Sequence, residues 1–119
     1  MAIKKIELGW ITTADIKTSK DFFTNKLGLK INVNDEKHGW MELAGKEDGA
    51  VLGVCTPMGN EKPGQNAVMV FTVDDIVATK KELEGKGVTF VGGIMDLPNV
   101  RLATFVDPDG NKFQLAQNI

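Results

Sequence analysis

Few side chains in this 119-residue sequence have the chemistry for catalysis or metal binding, and their counts close several routes at once. One histidine, His38, falls short of a three-His zinc site and of the two-His part of a facial triad. One cysteine, Cys55, excludes an internal disulfide and a CxxC redox pair. A nucleophilic thiol also needs a base or cation to lower its pKa, so Cys55 reads as a buried, inert thiol. There is no tyrosine to act as an acid. Glu42 suits a general base if burial raises its pKa, with Arg101 as a cationic neighbour. Asp107-Pro108-Asp109-Gly110 offers two carboxylates but reads as a turn: Pro fixes φ, Asp caps, and Gly takes positive φ. Gly92-Gly93 matches neither a P-loop nor a dinucleotide fingerprint and reads as a bend before Ile94.

Positioning such groups requires a folded scaffold, and the composition is that of a globular domain, 42% hydrophobic and 25% charged. Residues 1–119 fit one ordinary domain. Lys plus Arg is 14 against 16 for Asp plus Glu, a net charge of −2, without the basic stripe of a nucleic-acid binder. Lys80, Lys81 and Lys86 read as a solvated helix face. The N-terminal residues carry no apolar targeting core, and no apolar run approaches the ~20 residues of a membrane span. With a free thiol, this points to a cytoplasmic protein that binds neither nucleic acid nor membrane.

Periodicity supplies the elements. Ile3 to Thr12 reads as a strand with Ile6, Leu8 and Trp10 on one face. Asp15 to Leu27 reads as a helix, with Ser19, Phe23 and Leu27 at spacing four and Gly28 as its stop. Lys30 to Asn34, Trp40 to Ala44 and Ala50 to Thr56 are strand candidates. Pro57 to Gln65, with two prolines and two glycines, reads as a linker. Ala67 to Val73 then reads as a strand, Asp75 to Glu84 as a helix, and Val88 to Val91, Val100 to Val106 and Lys112 to Gln117 as strands.

The second half repeats the first. An offset of about 60 places Thr72 on Thr12, Asp75 on Asp15, Ile76 on Ile16 and Leu83 on Phe23. Further on the offset becomes about 61, placing Asp109 on Asp48, Phe113 on Leu52 and Leu115 on Val54. The economical topology is α+β: two βαβββ modules in tandem, about 1–60 and 65–119. Asp15 and Asp75 sit where a carboxylate accepts backbone N–H bonds at a helix start.

Asp15-Ile16, Ser19, Phe22-Phe23 and Leu27-Gly28, followed by Asp107-Pro108-Asp109-Gly110-Asn111 and Phe113-Gln114-Leu115, resemble the vicinal oxygen chelate superfamily of glyoxalases, bleomycin-resistance proteins and extradiol dioxygenases. The resemblance covers nearly the whole chain. It implies paired modules whose mixed sheets curl around a cleft, and a homodimer. Metal-dependent members carry four ligands on the first and fourth strands of each module, and these positions fall on Leu8, Gly53, Val68 and Gln114. Only Gln114 has a side-chain donor, so a metal-free member with no cofactor is the expectation.

The resemblance further implies that the cleft survives as a small-molecule pocket. Period-two alternation puts Leu8, Trp10 and Thr12, then Val51, Gly53 and Cys55, on the cleft face of the first module. Val68, Val70, Thr72, Lys112, Gln114 and Ala116 take that face in the second, with Leu52, Val54, Met69, Phe71, Phe113 and Leu115 behind. On the third strands, Trp40, Glu42 and Ala44 are matched with Arg101, Ala103 and Phe105. Trp10, Trp40 and Phe105 are thus the expected aromatic walls of a ligand site, and Glu42, Arg101 and Gln114 its polar contacts. No catalytic residue is assigned. Three functions fit: sequestration of an antibiotic or metabolite, a cofactorless lyase or isomerase using Glu42 near Arg101, or a non-catalytic dimeric partner.

Overall fold

A computed structural model describes residues 8–119. Eight strands and two principal helices run in the order β1 (Leu8–Thr12), α1 (Ile16–Asp21), β2 (Lys30–Asp35), β3 (Trp40–Ala44), β4 (Val51–Cys55), β5 (Met69–Thr72), α2 (Ile76–Gly85), β6 (Thr89–Asp96), β7 (Val100–Val106) and β8 (Lys112–Asn118). The expected start of the first strand, including Ile6, lies outside the described residues. Each half forms a four-stranded mixed sheet, β1-β4-β3-β2 and β5-β8-β7-β6. In each, the first strand pairs parallel with the last and the other pairings are antiparallel. This is the tandem βαβββ arrangement.

Asp15 and Asp75 begin the helices as N-caps: Asp15 Oδ1 accepts from the Lys17 and Thr18 amides, and Asp75 Oδ1 from that of Ala78. The first helix continues as a π-helical turn over Phe22–Lys26, closed by the Leu27 amide on the Phe22 carbonyl at 3.1 Å. Phe22 and Phe23 are both buried in this turn, three and four places after the buried Ser19. The helix-side faces of both sheets share one core, containing Ile11, Phe23 and Val54 alongside Ile76, Phe105 and Phe113. Phe23 meets Phe113 edge-on at 5.5 Å, and Phe113 stacks on Phe71 and Phe105 at 5.5 and 5.6 Å.

The β7–β8 turn joins the halves. Asp107 Oδ1 accepts from the amides of Asp109 and Asn111. The Asn111 side chain donates to the Thr12 carbonyl at 3.1 Å and accepts from the Gly64 amide at 3.0 Å. Asp109 accepts from Thr13 Oγ1 at 2.7 Å, and the buried Ser19 hydroxyl donates in turn to Thr13 Oγ1 at 2.6 Å. The turn that punctuates the second sheet is therefore also a clasp on the end of β1.

Two expectations need correction. β6 runs on to Asp96 through a register shift between Val91 and Met95, where Gly92 has φ of 73°, so Gly92-Gly93 forms a bulge within a longer strand. The face assigned on β7 is inverted: Ala103 pairs with Leu115 and Phe105 with Phe113, which places both in the core at 1% and 0% exposure.

Candidate functional site

The site is built on the face of the first sheet opposite its helix. Trp10 on β1 and Glu42 on β3 both stand beside Gly53 on β4, and Trp40 opposes Cys55 one pair further along. The Trp40 ring leans across Gly53 toward Trp10, with centroids 6.5 Å apart and planes at 63°. Its indole N–H donates to Glu42 Oε2 at 2.9 Å, fixing the ring's direction. Gly53 makes this possible. A Cβ there would lie 2.5 Å from the Trp40 ring and 2.8 Å from Trp10 Cβ. Trp10 remains 39% exposed, so the ring pair presents aromatic surface to solvent.

Glu42 forms no ion pair with any described lysine or arginine. Its half-buried carboxylate accepts from the Trp40 indole and has lone pairs for further donors. Cys55 is buried on this face, and burial, with a smaller contribution from the negative charge of Glu61, pushes its thiol above the ordinary cysteine value. It stays protonated at neutral pH. His38 is exposed and bonds Asp35 at 2.8 Å through Nδ1.

Of the six expected contacts, the structure brings Trp10, Trp40 and Glu42 together. Gln114 lies on the corresponding face of the second sheet, between Val70 and Thr104, and donates to Thr104 Oγ1 at 3.3 Å. Phe105 is a core residue. Arg101 shares the face of Ala103 and Phe105, and its guanidinium is paired with Asp96 at 2.6 Å. Thr104 and Leu102 take their places on the open side, opposite Gln114 and Ala116. Glu42 corresponds to Thr104 at an offset of 62, because Ala103 and Phe105 pair with Leu115 and Phe113 across the ladder.

Sequence reasoning also passed over the linker. Its Asn60–Ala67 stretch borders a cavity of about 300 Å³ whose other wall is Trp10, Ile11 and Thr12. A larger groove of about 880 Å³ opens between the modules on the helix side. Its floor is Leu43, Leu52, Phe105 and Leu115, all core side chains, and its rim carries charged residues including Lys26, Lys46, Asp48, Asp75 and Glu82.

The four positions that carry metal ligands elsewhere in the resembling family hold Leu8, Gly53, Val68 and Gln114. The space over Gly53 is taken by the Trp40 ring and the Gln114 amide is bonded to Thr104, so these residues do not fit a divalent ion. Among the described residues, no three His, Cys, Asp or Glu side chains converge as a ligand cluster.

A tandem pair of βαβββ sheets with an aromatic-lined open face defines a class, and comparison with known proteins assigns it. Residues 3–115 match the model of the glyoxalase/bleomycin resistance protein/dioxygenase superfamily, and the chain belongs to that family. It is 30% identical over 120 residues to the uncharacterized protein YetH of Bacillus subtilis (strain 168), covering 97% of this chain and 99% of that one. The structure of TnmS3, described as an antibiotic binding protein from Streptomyces sp. CB03234, superimposes with a TM-score of 0.87 at 29% identity, covering 100% and 99% of the two chains. A glyoxalase/bleomycin resistance protein from the same Streptomyces matches at 27% identity and a TM-score of 0.80, over 95% and 100%. No helix among the described residues is long and apolar enough to cross a membrane.

Proposed function

We propose that this protein sequesters a small molecule, holding a flat, partly apolar ligand against Trp10 and Trp40 without a metal ion. The observation that carries the reading is the Trp40 ring seated over Gly53, where metal-dependent relatives would project a ligating side chain. Large rigid rings offer contact area at low entropic cost, and Glu42 adds one directed polar contact. The likeness to a protein described as antibiotic-binding supports an antibiotic or a metabolite of similar shape as the ligand class.

A cofactorless lyase or isomerase using Glu42 with Arg101 has less support, because Arg101 is engaged by Asp96 and stands on the other face of its sheet. A second copy of the chain is the expected partner. The open face of the second sheet keeps Val70 at 53% exposure, with Val68 also exposed beside it, and this apolar surface suits a homodimer.

The test is a thermal-shift screen of the apo protein against antibiotics and aromatic metabolites, followed by tryptophan fluorescence. A ligand that raises the melting temperature and perturbs the emission of Trp10 and Trp40 is the expected result. Stabilising ligands whose binding leaves both tryptophans unperturbed would place the site elsewhere.

A further inference from the structure

The linker between the modules packs against the β7–β8 turn and lines a cavity. Gly64 sits at φ of 84°, and a Cβ there would lie 2.6 Å from the Asp109 carbonyl oxygen, so the loop is pressed onto the β7–β8 turn. Three further contacts restrain it. Gly64 donates to Asn111 Oδ1 at 3.0 Å, Asn66 exchanges two 3.0 Å bonds with the Lys112 backbone, and Glu61 accepts from the Met58 amide at 2.9 Å. A segment read as mere connection is thus fastened to the β7–β8 turn at Gly64 and Asn66 and closed on itself at Glu61, which lowers the ordering cost of binding there.

What the anchored loop presents is polar. The cavity of about 300 Å³ between it and β1 is lined on the loop side by Asn60, Glu61, Lys62 and Gln65, facing Trp10 and Thr12. The Asn60 and Gln65 amides make no side-chain hydrogen bond among the described residues, and each offers both donors and an acceptor. Groups that donate and accept at once match hydroxyls, which do the same. Trp10 belongs to both this cavity and the indole pair, whereas Trp40 and Glu42 do not line the cavity, so the two adjoin at Trp10.

We infer that the linker cavity is a second subsite that takes a hydroxyl-rich, sugar-like appendage of a ligand whose flat portion stacks on Trp10 and Trp40. The inference rests on the stacking reading above and names the chemical class of ligand: an aromatic glycoside or an equivalent polyhydroxylated conjugate. The size agrees, since about 300 Å³ is the lower end of small-molecule pockets and holds one ring-sized group.

Isothermal calorimetry with naphthol and with its glucoside separates the two readings. Wild-type protein is expected to bind the glucoside about tenfold tighter than naphthol, the gain of one or two added hydrogen bonds. Gln65→Ala and Asn60→Ala are expected to abolish that difference while leaving naphthol affinity unchanged, and Trp40→Ala to weaken both probes. Both loop positions are exposed, so the variants should fold as wild type, with melting curves as the control. A glucoside bound no tighter than naphthol overturns the subsite and leaves stacking intact. Trp40-independent binding, or a Gln65-dependent glucoside with unbound naphthol, overturns stacking and keeps the subsite. Failure of both probes at millimolar concentration overturns both.

Discussion

The absence of a side chain at residue 53 decides what the first sheet does. Any Cβ there meets the Trp40 ring at 2.5 Å and Trp10 Cβ at 2.8 Å, with backbone-bound atoms on one side and a ring steered by Glu42 on the other. Gly53→Ala is therefore expected to cost about 1–3 kcal/mol by overpacking. Trp40→Ala in the same chain should recover part of that loss. A double-mutant cycle by chemical denaturation measures the coupling; additive effects would show that Trp40 does not rest on Gly53. Truncating Trp10 or Trp40 alone is expected to weaken a stacked ligand by about 2 kcal/mol, roughly thirtyfold. Apo stability is the control, because a core tryptophan would cost about 3–5 kcal/mol on truncation. Cys55 completes the face. With its thiol held above the ordinary cysteine value by burial, first, and by Glu61, the folded chain takes up a proton there more tightly than the unfolded one. That contribution is fully present below the ordinary value of 9.0 and fades as pH rises through the raised one. Native protein at pH near 8 should react with thiol reagents far more slowly than protein unfolded in denaturant; equal rates would contradict the burial.

At the level of elements, the pattern that made the fold legible also misplaced part of the site. Helix caps, the tandem repeat and alternation on β1, β3, β4 and β8 read correctly because each is a local signal with a fixed period. β7 failed for the same reason strands are sensitive to register: a slip of one residue turns every side chain to the other face. Carrying the offset of β8 back onto β7 put Ala103 and Phe105 in the cleft, whereas their cross-strand partners Leu115 and Phe113 hold them in the core. The linker was unreadable for another reason, since its anchors come from Asn111 and Lys112, some 46 residues away in sequence. Asn111 is the most consequential of these. At 1% exposure it serves the Thr12 carbonyl, the Gly64 amide and Asp107 Oδ2. Asn111→Ala leaves those groups buried without partners and is expected to cost about 2–4 kcal/mol in denaturant unfolding. A loss under about 1 kcal/mol would mean water replaces the clasp. Asp107 in the same turn is held above the ordinary carboxylate value by burial, opposed by the bonds from Asn111. Here the folded state binds the proton more tightly, so this group's contribution to stability falls as pH rises from 3.8 through the raised value. A carbon NMR titration of the folded chain should place its midpoint above 3.8, and a midpoint below would reverse the sign.

For the whole molecule, the two sheets put unequal surfaces on their open sides. The first offers a tryptophan pair, a carboxylate and the linker cavity; the second offers exposed Val68 and Val70 with Gln114 and Thr104 turned to each other. Exposed apolar strand faces of this kind mark interaction surfaces, and a net charge of −2 puts little repulsion in the way of self-association. In a symmetric dimer the patch of one copy would be covered by the other, at an interface of roughly 800 Å² per partner for a stable pair. The expected outcome is a dimeric mass by light scattering at micromolar concentration. A charge placed in the patch, Val70→Lys, should shift that mass toward the monomer while the far-ultraviolet circular dichroism stays native. It should also weaken ligand binding if the cleft is completed between copies, and leave affinity untouched if each chain binds alone. A wild-type chain that is monomeric at those concentrations would refute the dimer, and the indole pair with its linker wall would then have to be the entire site.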